Sequence, residues 1–163
     1  MGEIFLKKWI YGIVMLLVIA YGYYLYTLSA GNSSLNKAYE DAQLIAYNET
    51  GLQKPSDFYM YRGKEKWDVI TGKNRNGTMV AIWIPLDKNS KIFALPLKSG
   101  ITKDQALEVL KQQREPFQII HTKLGCEQGI PLWEITYKNV KDKLCYFYVD
   151  FNSGKWLKSY DNL

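Results

Sequence analysis

Side chains that build active sites are scarce in this chain of 163 residues: it holds one histidine and two cysteines, and no charged residue at all between Lys8 and Lys37. A zinc centre needs several His or Cys ligands at paired spacing, and none occurs, so no metal is expected. A Cys-His nucleophilic pair would bring Cys126 within hydrogen-bond reach of His121. Both fall on one predicted strand, however, about 16 Å apart at roughly 3.3 Å per residue. The same strand geometry argues against a disulfide. If Cys126 lies opposite Pro131 and Cys145 opposite Thr136, their rungs stand about 16 Å apart, beyond the reach of a bridge. Two unpaired thiols are expected, with Cys145 as a small strand hydrophobe.

The missing charge marks what is present at the N-terminus. Trp9 to Leu28 is almost wholly apolar or aromatic, and twenty helical residues cover about 30 Å, the thickness of a hydrocarbon core. Ile10, Ile13, Val14, Met15, Leu16, Leu17, Val18 and Ile19 leave no polar face to turn toward water. Lys7 and Lys8 precede the run and no basic residue follows until Lys37, which puts the N-terminus in the cytoplasm and the remaining chain outside. Tyr21, Tyr23, Tyr24 and Tyr26 form an interfacial belt at the outer end. A cleaved secretory leader is the competing reading. Its apolar core is typically about 7 to 15 residues, shorter than this run, and Leu28 is too large for the cleavage position before Ala30. A retained single-pass anchor in the cell membrane follows, with the bilayer as one partner.

Beyond the anchor, Lys37 to Leu163 carries 19 basic and 15 acidic residues spread along the chain. No basic stripe suggests nucleic acid. The layout expected is a cytoplasmic N-terminus (1–8), a transmembrane helix (9–28), a Ser, Gly and Asn linker (29–34), a first α+β module (35–98) and a second (99–163). In the first, Leu35, Ala38, Tyr39, Ala42, Ile45 and Ala46 follow helical spacing, and Gly51 and Pro55 end the helix. Strand-like runs follow at Phe58 to Arg62, Trp67 to Thr71, Thr78 to Pro85 and Ile92 to Leu97. In the second, Thr102 and Gln105 form a capping box flanked by Ile101 and Ala106, and Pro116 stops the helix. Strands resume at Phe117 to Leu124, Leu132 to Tyr137, Leu144 to Phe151 and Lys155 to Tyr160.

The order of elements repeats. Ala42 and Ala106 are 64 residues apart, Trp67 and Trp133 66, and Lys91 and Lys155 64, a spacing that reads as duplication. Each copy would lay one helix across an antiparallel meander. A unit of this size buries only about 60% of its unfolded surface, so the copies are expected to pack together or share a sheet edge.

The second copy, with its capped helix, Trp133-Glu134-Ile135, Tyr148-Val149-Asp150 and Asn152-Ser153-Gly154-Lys155, resembles a PepSY domain. The whole chain, with one anchor and a diverged first copy, resembles the TseB-type regulators of cell-wall elongation. That resemblance implies tandem cystatin-like α+β modules outside the membrane, no enzymatic activity, no cofactor, and control of a class B penicillin-binding protein. Its motifs are structural, so no functional residue carries over by position, and the partner-binding residues are unknown. The first copy departs from the pattern at Pro85-Leu86-Asp87, where the second has Val149-Asp150-Phe151.

The remaining chemical candidates have plain explanations. Asp150, Asn152 and Gly154 imitate the start of a calcium loop, but the later glutamate is missing and an Asx hairpin turn accounts for them. Glu40 with Asp41 and Asp104 with Glu108 lie on helix surfaces, where carboxylates are solvated. Trp67, Trp133, Trp156 and the strand tyrosines could form an aromatic ligand surface. Period-two spacing instead puts Trp133, Ile135 and Tyr137 on one face with Phe147, Val149 and Phe151, under the helix, leaving Tyr146 and Tyr148 outward for partner contact. The leading expectation is a non-enzymatic regulator that binds a membrane-anchored penicillin-binding protein and takes no small-molecule substrate. A PepSY-type inhibitor or chaperone of an extracytoplasmic peptidase, acting by edge-strand addition, is the alternative.

Overall fold

A helix, α1 (Gly2–Thr50), opens the chain and stops at Gly51, whose φ of 70° supplies the left-handed residue that ends many helices. The computed structural model describes residues 2–87 and 90–161, and for 2–8, 10, 11 and 28–32 the backbone alone. Met1–Glu40 and Asp41–Leu163 form separate units.

Within the first unit α1 is unbroken, so residues 29–34 are helical rather than the linker expected there. Gly31 and Asn32 each cost a helix up to about 1 kcal/mol. Ending one helix and nucleating another costs more, because a first turn fixes several residues for one hydrogen bond. Ile13, Val14, Met15, Leu16, Leu17, Val18 and Ile19 are 51–68% exposed. Among the described residues no helix is long and apolar enough to cross a membrane. The expected span 9–28 includes 10, 11 and 28, whose side chains lie outside that description.

The second unit holds two antiparallel four-stranded meanders. The first sheet is β1 (Leu52–Arg62), β2 (Lys66–Asn74), β3 (Met79–Pro85) and β4 (Phe93–Pro96), in that order. A 3-10 turn, Leu97–Ser99, leads to α2 (Lys103–Gln113). The second sheet follows as β5 (Pro116–Glu127), β6 (Ile130–Asn139), β7 (Leu144–Asp150) and β8 (Trp156–Tyr160). This is the α+β class expected.

Local chemistry sets these elements. The Thr102 hydroxyl accepts from the Gln105 amide at 3.2 Å while the Gln105 side chain accepts from the Thr102 amide at 2.8 Å, the reciprocal box read from sequence. Asp150 accepts from the Ser153 amide at 2.6 Å, and Gly154 takes φ of 72°, making the predicted Asx turn between β7 and β8.

The helix-covered face of the second sheet also matches its expectation: Trp133, Ile135, Tyr137, Phe147, Val149 and Phe151 are all buried, as are Ala106 and Leu110 of α2. They share one cluster with Tyr61, Trp67, Val69, Ala81 and Trp83 of the first sheet. The two copies therefore pool a core but keep separate sheets, so it is packing rather than a common edge that joins them. On the other face of the first sheet Ile70, Val80, Ile82 and Ile84 are buried, as are Ala42 and Ala46 at the end of α1.

Both cysteines are buried and unpaired. Cys126 stands opposite Pro131 as expected, while Cys145 stands opposite Tyr137 rather than Thr136. The β6–β7 turn holds one residue more than expected, with Lys138 paired to Leu144, and this moves the rungs one residue farther apart.

The joint between copies turns on Gly125. Its carbonyl accepts from the Trp83 indole at 2.8 Å, and a Cβ placed there would lie 2.3 Å from the Tyr61 ring. Gly125→Ala should lower stability by about 1–3 kcal/mol through overpacking, read as a fall in melting temperature.

Candidate functional site

The second sheet's other face carries a polar-aromatic groove that draws residues from both copies. Cross-strand register places Lys123, Glu134, Tyr148 and Lys158 on one rung and His121, Thr136, Tyr146 and Tyr160 on the next. Arg62 and Gly63, at the β1–β2 hairpin, complete the rim of a cavity of about 550 Å³. Volumes of roughly 300–1,000 Å³ are usual for ligand sites.

Tyr146 and Tyr148 do lie away from α2, as their parity requires, but Tyr148 is only 5% exposed and is not an outward contact residue. Its ring meets Tyr160 edge to face at 5.9 Å, and the Lys158 ammonium sits 4.5 Å from its centroid. Glu134, on the same face, is 7% exposed. The Tyr148 hydroxyl donates to Glu134 Oε2 at 3.0 Å. No described residue donates to Oε1, and Glu134 lines the groove. Burial raises the Glu134 pKa against the pull of the Tyr148 hydrogen bond and of Lys123.

A second carboxylate fixes the groove's wall. Glu127 accepts from the Tyr61 hydroxyl at 2.6 Å and pairs closely with Lys158. Its burial would raise its pKa, but the bonds from Lys158 and Tyr61 prevail and hold it low. The neighbouring turn is pinned as well, since the Gln128 amide donates to Glu65 at 2.9 Å. Arg62 is committed to Asp68 at 2.7 Å and to the carbonyls of Tyr61 and Trp67. Lys123 has no ion-pair partner among the described residues. His121 lies 2.9 Å from the Thr136 hydroxyl, and burial with the nearby Lys123 lowers its pKa, which favours the neutral ring.

The other chemical candidates stay apart. Cys126 and His121 sit on the same strand, and burial pushes the Cys126 thiol up to about 12, where it is no nucleophile. Among the described residues no group of His, Cys, Asp and Glu could hold a metal ion. Trp67 and Trp133 are core residues, whereas Trp156 is 46% exposed at the sheet edge. A depression of about 590 Å³ beyond α2 is lined by Arg114 and Asp161, but Arg114 already meets Ser159 at 3.1 Å.

Sequence reasoning singled out Tyr146 and Tyr148 but missed Glu134, Glu127, Lys158 and Tyr61. One signal was available: Glu134 is a lone carboxylate amid strand residues that alternate with buried aromatics.

Two four-stranded antiparallel sheets that share one core define an α+β protein, and comparison with known proteins gives its family. Residues 42–85 match the family described as "Cell wall elongation regulator TseB-like domain", and residues 100–160 match "Peptidase propeptide and YPEB domain". The chain is 31% identical over 150 residues to the "Probable cell wall elongation regulator TseB" of Bacillus subtilis, covering 92% of each. A solved structure, "YpmB protein from Bacillus subtilis", superposes with a TM-score of 0.69 at 34% identity, over 75% of this chain and 95% of that one. The chain belongs to the TseB family of cell wall elongation regulators.

Opposite pH signatures follow for the two carboxylates. Glu127, held low, contributes stability above the ordinary carboxylate pKa and loses it as pH falls through its folded value. Glu127→Gln should therefore melt below the parent chain at neutral pH, with the gap closing in acid. Glu134, held high, favours folding below the ordinary value of 4.5 and loses that advantage as pH rises. Glu134→Gln should gain on the parent as pH rises from acid to neutral, measured by thermal unfolding.

Proposed function

We propose that this chain is a non-enzymatic regulator, anchored in the cell membrane by α1 with its two modules outside, that binds a class B penicillin-binding protein and controls its part in wall elongation. Family membership carries this reading, because the relative matched over 92% of both chains is named a probable regulator of cell wall elongation. The exposed aliphatic residues of α1 support the anchor: so many unpartnered Leu, Ile and Val side chains are stable only in lipid or under a partner. The lone histidine and the high thiol pKa of Cys126 support a role in binding rather than turnover.

Crosslinking in live cells, followed by purification from detergent-solubilised membranes and mass spectrometry, tests the partner. Recovery of a class B penicillin-binding protein is the expected result. An extracytoplasmic peptidase recovered without one would favour the inhibitor or chaperone reading that the PepSY match supports. A mature chain beginning after Ala30 would remove the anchor.

A further inference from the structure

Charge in the groove is nearly matched. Arg62 is paired with Asp68 and Lys158 with Glu127, while Lys123 and Glu134 stand opposite each other on the β5–β6 ladder without forming an ion pair. With the formal charges nearly cancelled, a ligand of high net charge gains little from such a site.

The groove also lies on a sheet face, where the backbone groups of β6 and β7 are committed to their neighbours on both sides. An extended peptide recognised through its main chain would need an unpaired edge instead. The face presents side chains only. Tyr160 is 43% exposed and Tyr146 half-buried, and no described residue hydrogen-bonds either hydroxyl. Between these rings and the hairpin rim lie Glu134 Oε1, free to accept, and the Lys123 ammonium, free to donate. Flat rings beside one acceptor and one donor suit a ligand with C–H faces and a girdle of hydroxyl or amide groups.

We propose that this groove is a carbohydrate-binding site for a short, neutral oligosaccharide, with Tyr146 and Tyr160 as stacking platforms and Glu134 and Lys123 as the acceptor and donor that orient it. Glu134 is held for that task by Tyr148, and the Tyr148 ring is in turn backed by Lys158 and Tyr160. The cavity of about 550 Å³ admits a short chain of sugar rings, not a folded domain.

The test is calorimetric titration of the purified full-length chain, kept in a polyoxyethylene detergent because sugar-headed detergents would compete. Chitotetraose and cellotetraose are the probes, and tetra-alanine the peptide control. Saturable binding of at least one tetrasaccharide is expected, weakened about tenfold or more by Tyr146→Ala and by Lys123→Ala. Phe117→Ser, at an exposed position outside the groove, should bind as the parent does. Lys123→Ala alters a partly exposed side chain, so it decides the matter if Tyr146→Ala fails to fold. Absence of saturable binding by both sugars overturns the proposal, as does equal affinity in the Lys123 variant. Binding of tetra-alanine alone would assign the groove to peptides. The titration uses the isolated chain, so its failure is separable from failure to recover a penicillin-binding protein in cells.

Discussion

The contact on which the molecule depends is made where a side chain is missing. Gly125 lets the Tyr61 ring lie against β5, and the same residue's carbonyl caps the Trp83 indole. Tyr61 can then reach Glu127, and Trp83 can meet Phe151 edge to face at 5.6 Å. Two sheets that would each be marginal gain one core through this approach. Aromatic residues dominate it because they combine large buried area with an N–H or O–H that finds a partner at the boundary.

The same approach creates the groove. With the hairpin of the first copy laid beside the second sheet, Glu134 is enclosed without being sealed, and Tyr148 is covered by Lys158 and Tyr160. Charges buried this far are tolerated where each is paired or hydrogen-bonded, and here a hydroxyl or ammonium answers both carboxylates. The two glutamates are consequently driven apart in acidity. Lys158 holds Glu127 ionised, while burial makes Glu134 the weaker acid.

Local signals in the sequence read true. The capping box at Thr102, the Asx turn at Asp150 and the pairing of Cys126 with Pro131 each rest on residues a few positions apart. Alternation also placed Trp133, Ile135, Tyr137, Phe147 and Val149 on the buried face and Tyr146 and Tyr148 on the other. It could not tell whether a face would be covered, and so Tyr148 was read as exposed: its cover comes from Tyr160 and Lys158, and the wall beyond from Tyr61, 66 residues before Glu127. Residues 29–34 were misread for the opposite reason, since local propensity there is overridden by the helix on either side. The resemblance to TseB-type regulators rested on the motifs of the second copy and the layout of the whole chain, and it survived both errors.

The short segment between the copies has a bearing on how such a molecule can change over generations. The Ile101 amide is bound to Phe151 at 2.7 Å, the Ile101 carbonyl accepts from the Trp133 indole at 3.0 Å, and a Cβ on Gly100 would strike the Phe151 ring at 2.4 Å. A lengthened or shortened joint would break these ties at once. The two halves are mutually dependent: losing the second strands the Trp83 indole and losing the first takes the Tyr61 hydroxyl from Glu127, so inheritance can reshape the outer loops but not separate the halves.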